Sequence, residues 1–90
     1  MAKTGSKKKA VVERVQTGIR IETRILKVLK ATAELTDLSL GDLIEGIVLH
    51  AFEGKVPFSR ATLAHIAELR EIYGLTLRAS DSHALVEKDE

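Results

Sequence analysis

The chain has 90 residues, 44% of them hydrophobic, with no cysteine and a net charge of +1. A chain of this length makes one small domain with a modest core, for which association is a usual route to stability. The lack of cysteine excludes disulfides, thiolate nucleophiles and cysteine-held zinc, and no apolar run approaches the roughly 18–20 residues of a membrane span. The lysines near Met1 precede no hydrophobic signal core. A soluble, cytoplasmic protein with no membrane partner is expected.

The small net charge hides an asymmetry. Residues 1–30 carry nine basic side chains against Glu13 and Glu22, a balance of +7, whereas residues 31–90 carry five basic and eleven acidic ones, a balance of −6. Polarity of this kind points to a polyanion-facing end and a solvated or protein-facing end.

Residues 1–11, with the run Lys7-Lys8-Lys9, are too polar to pack and are expected to form a disordered basic arm. From Val12 the pattern changes. Val15, Thr17, Ile19 and Ile21 alternate with Arg14, Gln16, Gly18, Arg20 and Glu22, the period of two that predicts a half-buried β-strand. Gly18 weakens such a strand and implies close approach of another backbone or a ligand.

Thr23 is placed to cap a first helix, over which Ile25, Leu26, Val28, Leu29, Thr32 and Ala33 recur at helical spacing to Leu35. The period breaks around Thr36-Asp37-Leu38, and Ser39 followed by Asp42 forms a capping-box-like start for a second helix. That helix runs from Leu40 to Phe52. Its stripe of Leu40, Leu43, Ile44, Ile47, Val48, Ala51 and Phe52 is wider than one partner helix covers, and the surplus is read as a dimer interface. Gly46 costs about 1 kcal/mol of helix propensity relative to alanine, a cost that fits close approach by another helix.

Gly54 is expected to end the second helix in a left-handed conformation, with Pro57 enforcing the stop. Ser59 then caps a third helix over about 60–73, with Phe58 and Leu63 placed as a hydrophobic staple and Gly74 at its end. Asp81–Val86 is read as one or two helical turns, and 87–90 as a frayed acidic tail. The predicted organisation is an arm at 1–11, a strand-and-two-helix dimerisation domain at 12–54, and a C-terminal extension at 55–90.

One strand followed by two helices leaves both strand edges unpaired, a pattern that asks for a second copy. Two copies would pair their strands into a ribbon that fits the major groove of DNA, presenting Arg14, Gln16 and Arg20 to base edges. Lys7, Lys8 and Lys9 would then track phosphates, with binding that weakens as salt rises. Arg14 has the alternative of pairing with a neighbouring acid, and Ser39 acts as a helix cap whatever else it does.

Order and spacing here resemble the ribbon-helix-helix DNA-binding superfamily of the MetJ, Arc and CopG type. The likeness rests on Arg14 to about Gly54, above all on Ile19-Arg20-Ile21-Glu22-Thr23-Arg24-Ile25-Leu26-Lys27-Val28-Leu29 and Asp37-Leu38-Ser39-Leu40-Gly41-Asp42-Leu43-Ile44. The resemblance implies a mainly α fold with one N-terminal β-strand: an intertwined homodimer, an intermolecular two-stranded antiparallel ribbon in the major groove, and here an extra C-terminal helix. It also implies base contacts from Gln16, Gly18 and Arg20, with Arg14 flanking them, and a phosphate clamp from Ser39 with the amides of Leu40 and Gly41. Gly18 puts no side chain at the centre of the triplet, and Gly41 keeps an amide donor without a hydroxyl. The expected dimer core comprises Ile19, Ile21, Leu29, Leu43, Ile44, Ile47 and Val48.

The function expected on these grounds is a sequence-reading transcriptional regulator, a repressor, bound to double-stranded DNA as a homodimer in the cytoplasm at the nucleoid. One alternative is an antitoxin-like DNA-binding protein whose residues 55–90 bind a protein partner. Another is a dimeric assembly module that touches no nucleic acid. His50, His65 and His83 show no metal-ligand spacing, Asp81-Ser82-His83 is too local for a triad, and no glycine-rich phosphate loop is present. No enzymatic activity, metal or cofactor is expected.

Overall fold

The first helix begins where a carboxylate takes up a free amide. In the computed structural model, which describes residues 9–88, Glu22 caps helix α1 (Thr23–Thr36), its Oε1 accepting from the Ile25 amide at 2.9 Å. The cap therefore falls one residue before the expected Thr23. An acid reaches one turn inward and also meets the positive end of the helix dipole. That backbone hydrogen bond, helped by Arg24 and opposed by partial desolvation, holds the Glu22 carboxyl below its ordinary range.

Helix α1 ends on Asp37, which takes the left-handed conformation at φ 60° so that the Leu38 amide reaches the Ala33 carbonyl at 2.9 Å. Helix α2 (Leu40–Phe52) has the predicted bounds, and Ser39 Oγ accepts from the Asp42 amide at 3.1 Å. Its end follows the glycine rule: Gly54 is left-handed at φ 70° and the Lys55 amide donates back to the His50 carbonyl at 2.8 Å. Helix α3 (Arg60–Ile72) repeats both devices, with Ser59 as its cap and Gly74 at φ 67° turning Leu75 back to the Arg70 carbonyl.

Helix α1 packs against both α2 and α3. The buried apolar side chains are Val28 and Ala33 of α1, Leu43 of α2, and Leu75 beyond α3. Thr32 is buried with them at no hydrogen-bonding cost, because its hydroxyl donates to the Val28 carbonyl at 2.7 Å. Two arginines hold the chain around Leu75: Arg24 Nη1 donates to the Gly74 carbonyl and Arg70 Nη2 to the Leu77 carbonyl, each at 2.9 Å. A 3₁₀ turn follows at Ala79–Asp81 in place of the helical turns expected over 81–86, and residues 84–88 have no regular structure.

The predicted β-strand is not found. Among the described residues there are three α-helices and one 3₁₀ turn, and no strand or sheet, so the ribbon-helix-helix arrangement is not the architecture of this chain as described. Alternation of apolar and polar residues does not by itself make a strand, which needs a neighbouring ladder of hydrogen bonds. Residues 9–21 make no backbone hydrogen bond of the turn, loop or cap kind to the rest of the described chain. The expected inward face is correspondingly absent: Val15, Thr17 and Ile19 are exposed, and only Ile21 is half-buried.

Surface is left over. The accessible area is 8009 Å², against roughly 5,200 Å² for a compact monomer of this mass. The excess includes large apolar side chains, among them Val12, Val15 and Ile19 before α1 and Leu49, Phe52 and Val56 at the end of α2.

Candidate nucleic-acid interface

Most of the basic residues of the N-terminal third lie in the open. Lys9, Arg14 and Arg20 on the extended segment and Lys27 and Lys30 on α1 are all exposed, as are Gln16 and Gly18. Lys7 and Lys8, expected on phosphates, lie outside the described residues. A Cβ placed on Gly18 would meet nothing within 4 Å, so the close approach its position implies is not made by this chain itself.

Two of the expected base-reading side chains hold carboxylates of their own chain. Arg14 forms a two-pronged pair with Glu45 of α2, Nε to Oε2 and Nη2 to Oε1, both at 2.8 Å. The hydrogen bonds from Arg14 hold the Glu45 carboxyl below its ordinary range, outweighing the opposing desolvation, and the charge of Arg14 adds a smaller lowering effect. The same hydrogen bonds, with the charges of Glu45 and then Asp42, raise the Arg14 guanidinium. The pair is well exposed, so water and salt screen it. Arg20 pairs through Nη2 with Glu87 of the C-terminal tail.

The start of α2 faces solvent. Ser39 and Gly41 are exposed and Leu40 is half-buried, and a Cβ on Gly41 would meet nothing within 4 Å. Ser39 Oγ and the Ser39 carbonyl are taken by Asp42 and Leu43 amides, while the Leu40 and Gly41 amides belong to the first turn, which has no intrahelical acceptor. The Arg14–Glu45 pair ties the extended segment to this half of α2.

The expected dimer-core residues divide. Leu43 is buried inside the single chain; Ile21, Leu29, Ile44 and Ile47 are half-buried; Ile19 and Val48 are exposed. Beyond Val48 the same side of α2 carries Leu49 and Phe52, the latter 81% exposed. No atom of this chain approaches the Gly46 position within 4 Å of a built Cβ, and Gly46 opens onto a groove lined by Leu38, Leu43, Ile47, Pro57 and Phe58.

The histidines lie apart from one another, and only His50 borders this groove. His50 Nδ1 lies 2.7 Å from the Gly46 carbonyl, His65 lies 3.6 Å from Glu68, and His83 occupies a left-handed turn at φ 66°. No helix among the described residues is long and apolar enough to cross a membrane. Searches of protein-family models, curated proteins and solved structures return no match to this chain.

Sequence reasoning left Arg14 open between a base and an acid, and the described chain gives it the acid. The partners Glu45 and Glu87 carry no local signal, since they lie 31 and 67 residues away from the arginines they meet. The ties from Arg24 and Arg70 to carbonyls after α3 were missed for the same reason: a carbonyl acceptor has no signature in the sequence.

Proposed function

We propose that this chain is a homodimeric DNA-binding transcriptional regulator, a repressor acting at the nucleoid. The observation that carries the reading is the exposure of the segment from Lys9 to Arg20, continuous with exposed Lys27 and Lys30, while the acidic residues lie largely beyond it in sequence. A stretch of this kind attracts duplex DNA through counterion release. Arg20 grips guanine O6 and N7 through its fork, Gln16 pairs with adenine, and Arg14 reaches the backbone or a flanking base after releasing Glu45. The free amides of Leu40 and Gly41 and the Ser39 hydroxyl meet a phosphate, with Lys7, Lys8 and Lys9 along the backbone.

Dimerisation is supported by the unspent apolar surface. Val15 and Ile19 of the segment and Leu49 and Phe52 of α2 are largely uncovered among the described residues, and Val48 is partly so. A stable dimer of the obligate kind buries upwards of about 2,000 Å² in total, and these side chains would supply the apolar part of such an interface.

Fluorescence anisotropy on genomic duplex fragments tests the reading. The expected result is binding that falls steeply with added salt, and an Arg20→Ala variant that loses about 1–3 kcal/mol per site on the preferred sequence. Full retention of affinity by Arg20→Ala overturns the role of Arg20. No duplex binding at low ionic strength leaves a dimeric assembly module instead. The antitoxin-like alternative loses some of its free surface, because α3 packs on α1 and Leu75 joins the core.

A further inference from the structure

The route of the chain after α3 is laid down by specific contacts. Leu75 is buried, and the carbonyls on either side of it, Gly74 and Leu77, accept from Arg24 at the start of α1 and from Arg70 of α3. The Arg78 amide then donates to Asp81 Oδ2 at 2.7 Å, closing the 3₁₀ turn, and the Ala84 amide donates to the Asp81 carbonyl at 3.1 Å. His83 adds a left-handed residue to the same bend. The chain leaves this double turn and brings Glu87 to the guanidinium of Arg20, three residues before α1.

The contact involves the atom that matters most to the proposed function. Arg20 Nη2 holds the Glu87 carboxylate, and a guanidinium nitrogen engaged in this way is one of the donors that guanine O6 and N7 or a phosphate would take. Resting on the DNA-binding reading above, we infer that the acidic C-terminal tail is an intrachain competitor for DNA at Arg20, and that binding DNA requires the tail to leave. The sequence that continues from the contact, Glu87-Lys88-Asp89-Glu90, has a net charge of −2, which adds repulsion of a phosphate backbone to the occupation of the arginine. Both partners are largely exposed, which sets the competition at a strength that DNA can overcome and salt can weaken.

The test uses the full chain and three variants, Glu87→Gln, Arg20→Ala and the double change, with a mixed-sequence 20-base-pair duplex at low salt as the probe. Glu87→Gln is expected to shift the side-chain N–H resonances of Arg20 in the DNA-free protein while leaving those of Arg14 in place. It is also expected to tighten duplex binding by about two- to fivefold, the range of one exposed ion pair. The gain disappears in the Arg20→Ala background if the tail acts through that arginine. An unmoved Arg20 resonance overturns the proposal, as does a gain that persists without Arg20, which marks general charge repulsion. If no variant binds duplex at all, the DNA reading falls and the competition falls with it, and a shifted Arg20 resonance then identifies the contact as structural.

Discussion

The segment from Lys9 to Glu22 and the helical unit from Thr23 to Leu77 both mix apolar with charged residues, the segment being the more charged, and only the second takes up regular structure on its own chain. The helices are specified by neighbours: a cap at Glu22, Ser39 or Ser59, a recurrence of apolar residues every three or four positions, a left-handed residue at Asp37, Gly54 or Gly74. The segment lacks any such closure. Its alternation calls for hydrogen-bonding partners at a distance, and Val15, 85% exposed, has found none within the chain. Local interactions form wherever the sequence carries them, whereas non-local ones wait for a partner surface.

The strongest way to break this contrast is to remove one methyl-bearing side chain from each region. Leu43 is 3% exposed at the α1–α2 contact, and Leu43→Ala is expected to cost about 2–5 kcal/mol in urea unfolding, most of what a core of four buried apolar side chains supplies. Val15→Ala, at a concentration where the chain is monomeric, is expected to change stability by less than about 0.5 kcal/mol. Equal losses at the two sites would mean that the segment packs on its own chain after all.

A second change asks what the uncovered surface is for. Phe52 is exposed at the end of α2 beside Leu49, so Phe52→Asp leaves the monomer's fold intact by circular dichroism. In sedimentation equilibrium it is expected to weaken the dimer by about 2 kcal/mol, roughly thirtyfold, the effect of an aromatic anchor. An unchanged association constant places the interface elsewhere.

Much of the helical unit was legible in advance, and the reasons are visible in single residues. Ser39 and Ser59 each sit three positions before an amide they accept from, and Gly54 and Gly74 each follow the last turn. Asp37 at φ 60° and the Glu22 cap departed from the usual residue choices and were read less well. The strand was misread because period-two alternation is a statement about faces, and a face exists only when a second element covers it. Of the candidate site, the identity and exposure of Arg14, Gln16, Gly18 and Arg20 were readable, but their carboxylate partners were not: the contact of Arg14 with Glu45 and of Arg20 with Glu87 depends on how α2 and the tail are placed in space.

The two serine caps offer a matched pair, because they have the same geometry and differ in their neighbourhood. Ser39→Ala and Ser59→Ala are each expected to cost about 1 kcal/mol of stability by thermal or urea unfolding. Only Ser39 starts the helix to which the extended segment is tied, so only Ser39→Ala is expected to weaken duplex binding further than its stability loss explains. Equal effects on DNA from both variants would show that α2 has no special part in phosphate contact.

The smallest expected effect lies at the joint between the two regions. Glu45 is held below its ordinary value near 4.5 chiefly by its hydrogen bonds from Arg14. A carboxyl lowered on docking favours the docked segment fully above its ordinary value, and that contribution is lost as pH falls through the lowered value. Arg14, whose guanidinium is raised further by the same pair, stays charged throughout this range and adds no pH dependence of its own. Carboxyl NMR titration is therefore expected to give Glu45 a midpoint below 4.5 in the native chain and a return towards it in Arg14→Ala, with the resonances of Val15 and Gln16 moving along the same acid limb. If the Glu45 midpoint is the same in both proteins, the two regions are not joined at Arg14, and the proposed DNA contact by Arg14 needs no release from α2.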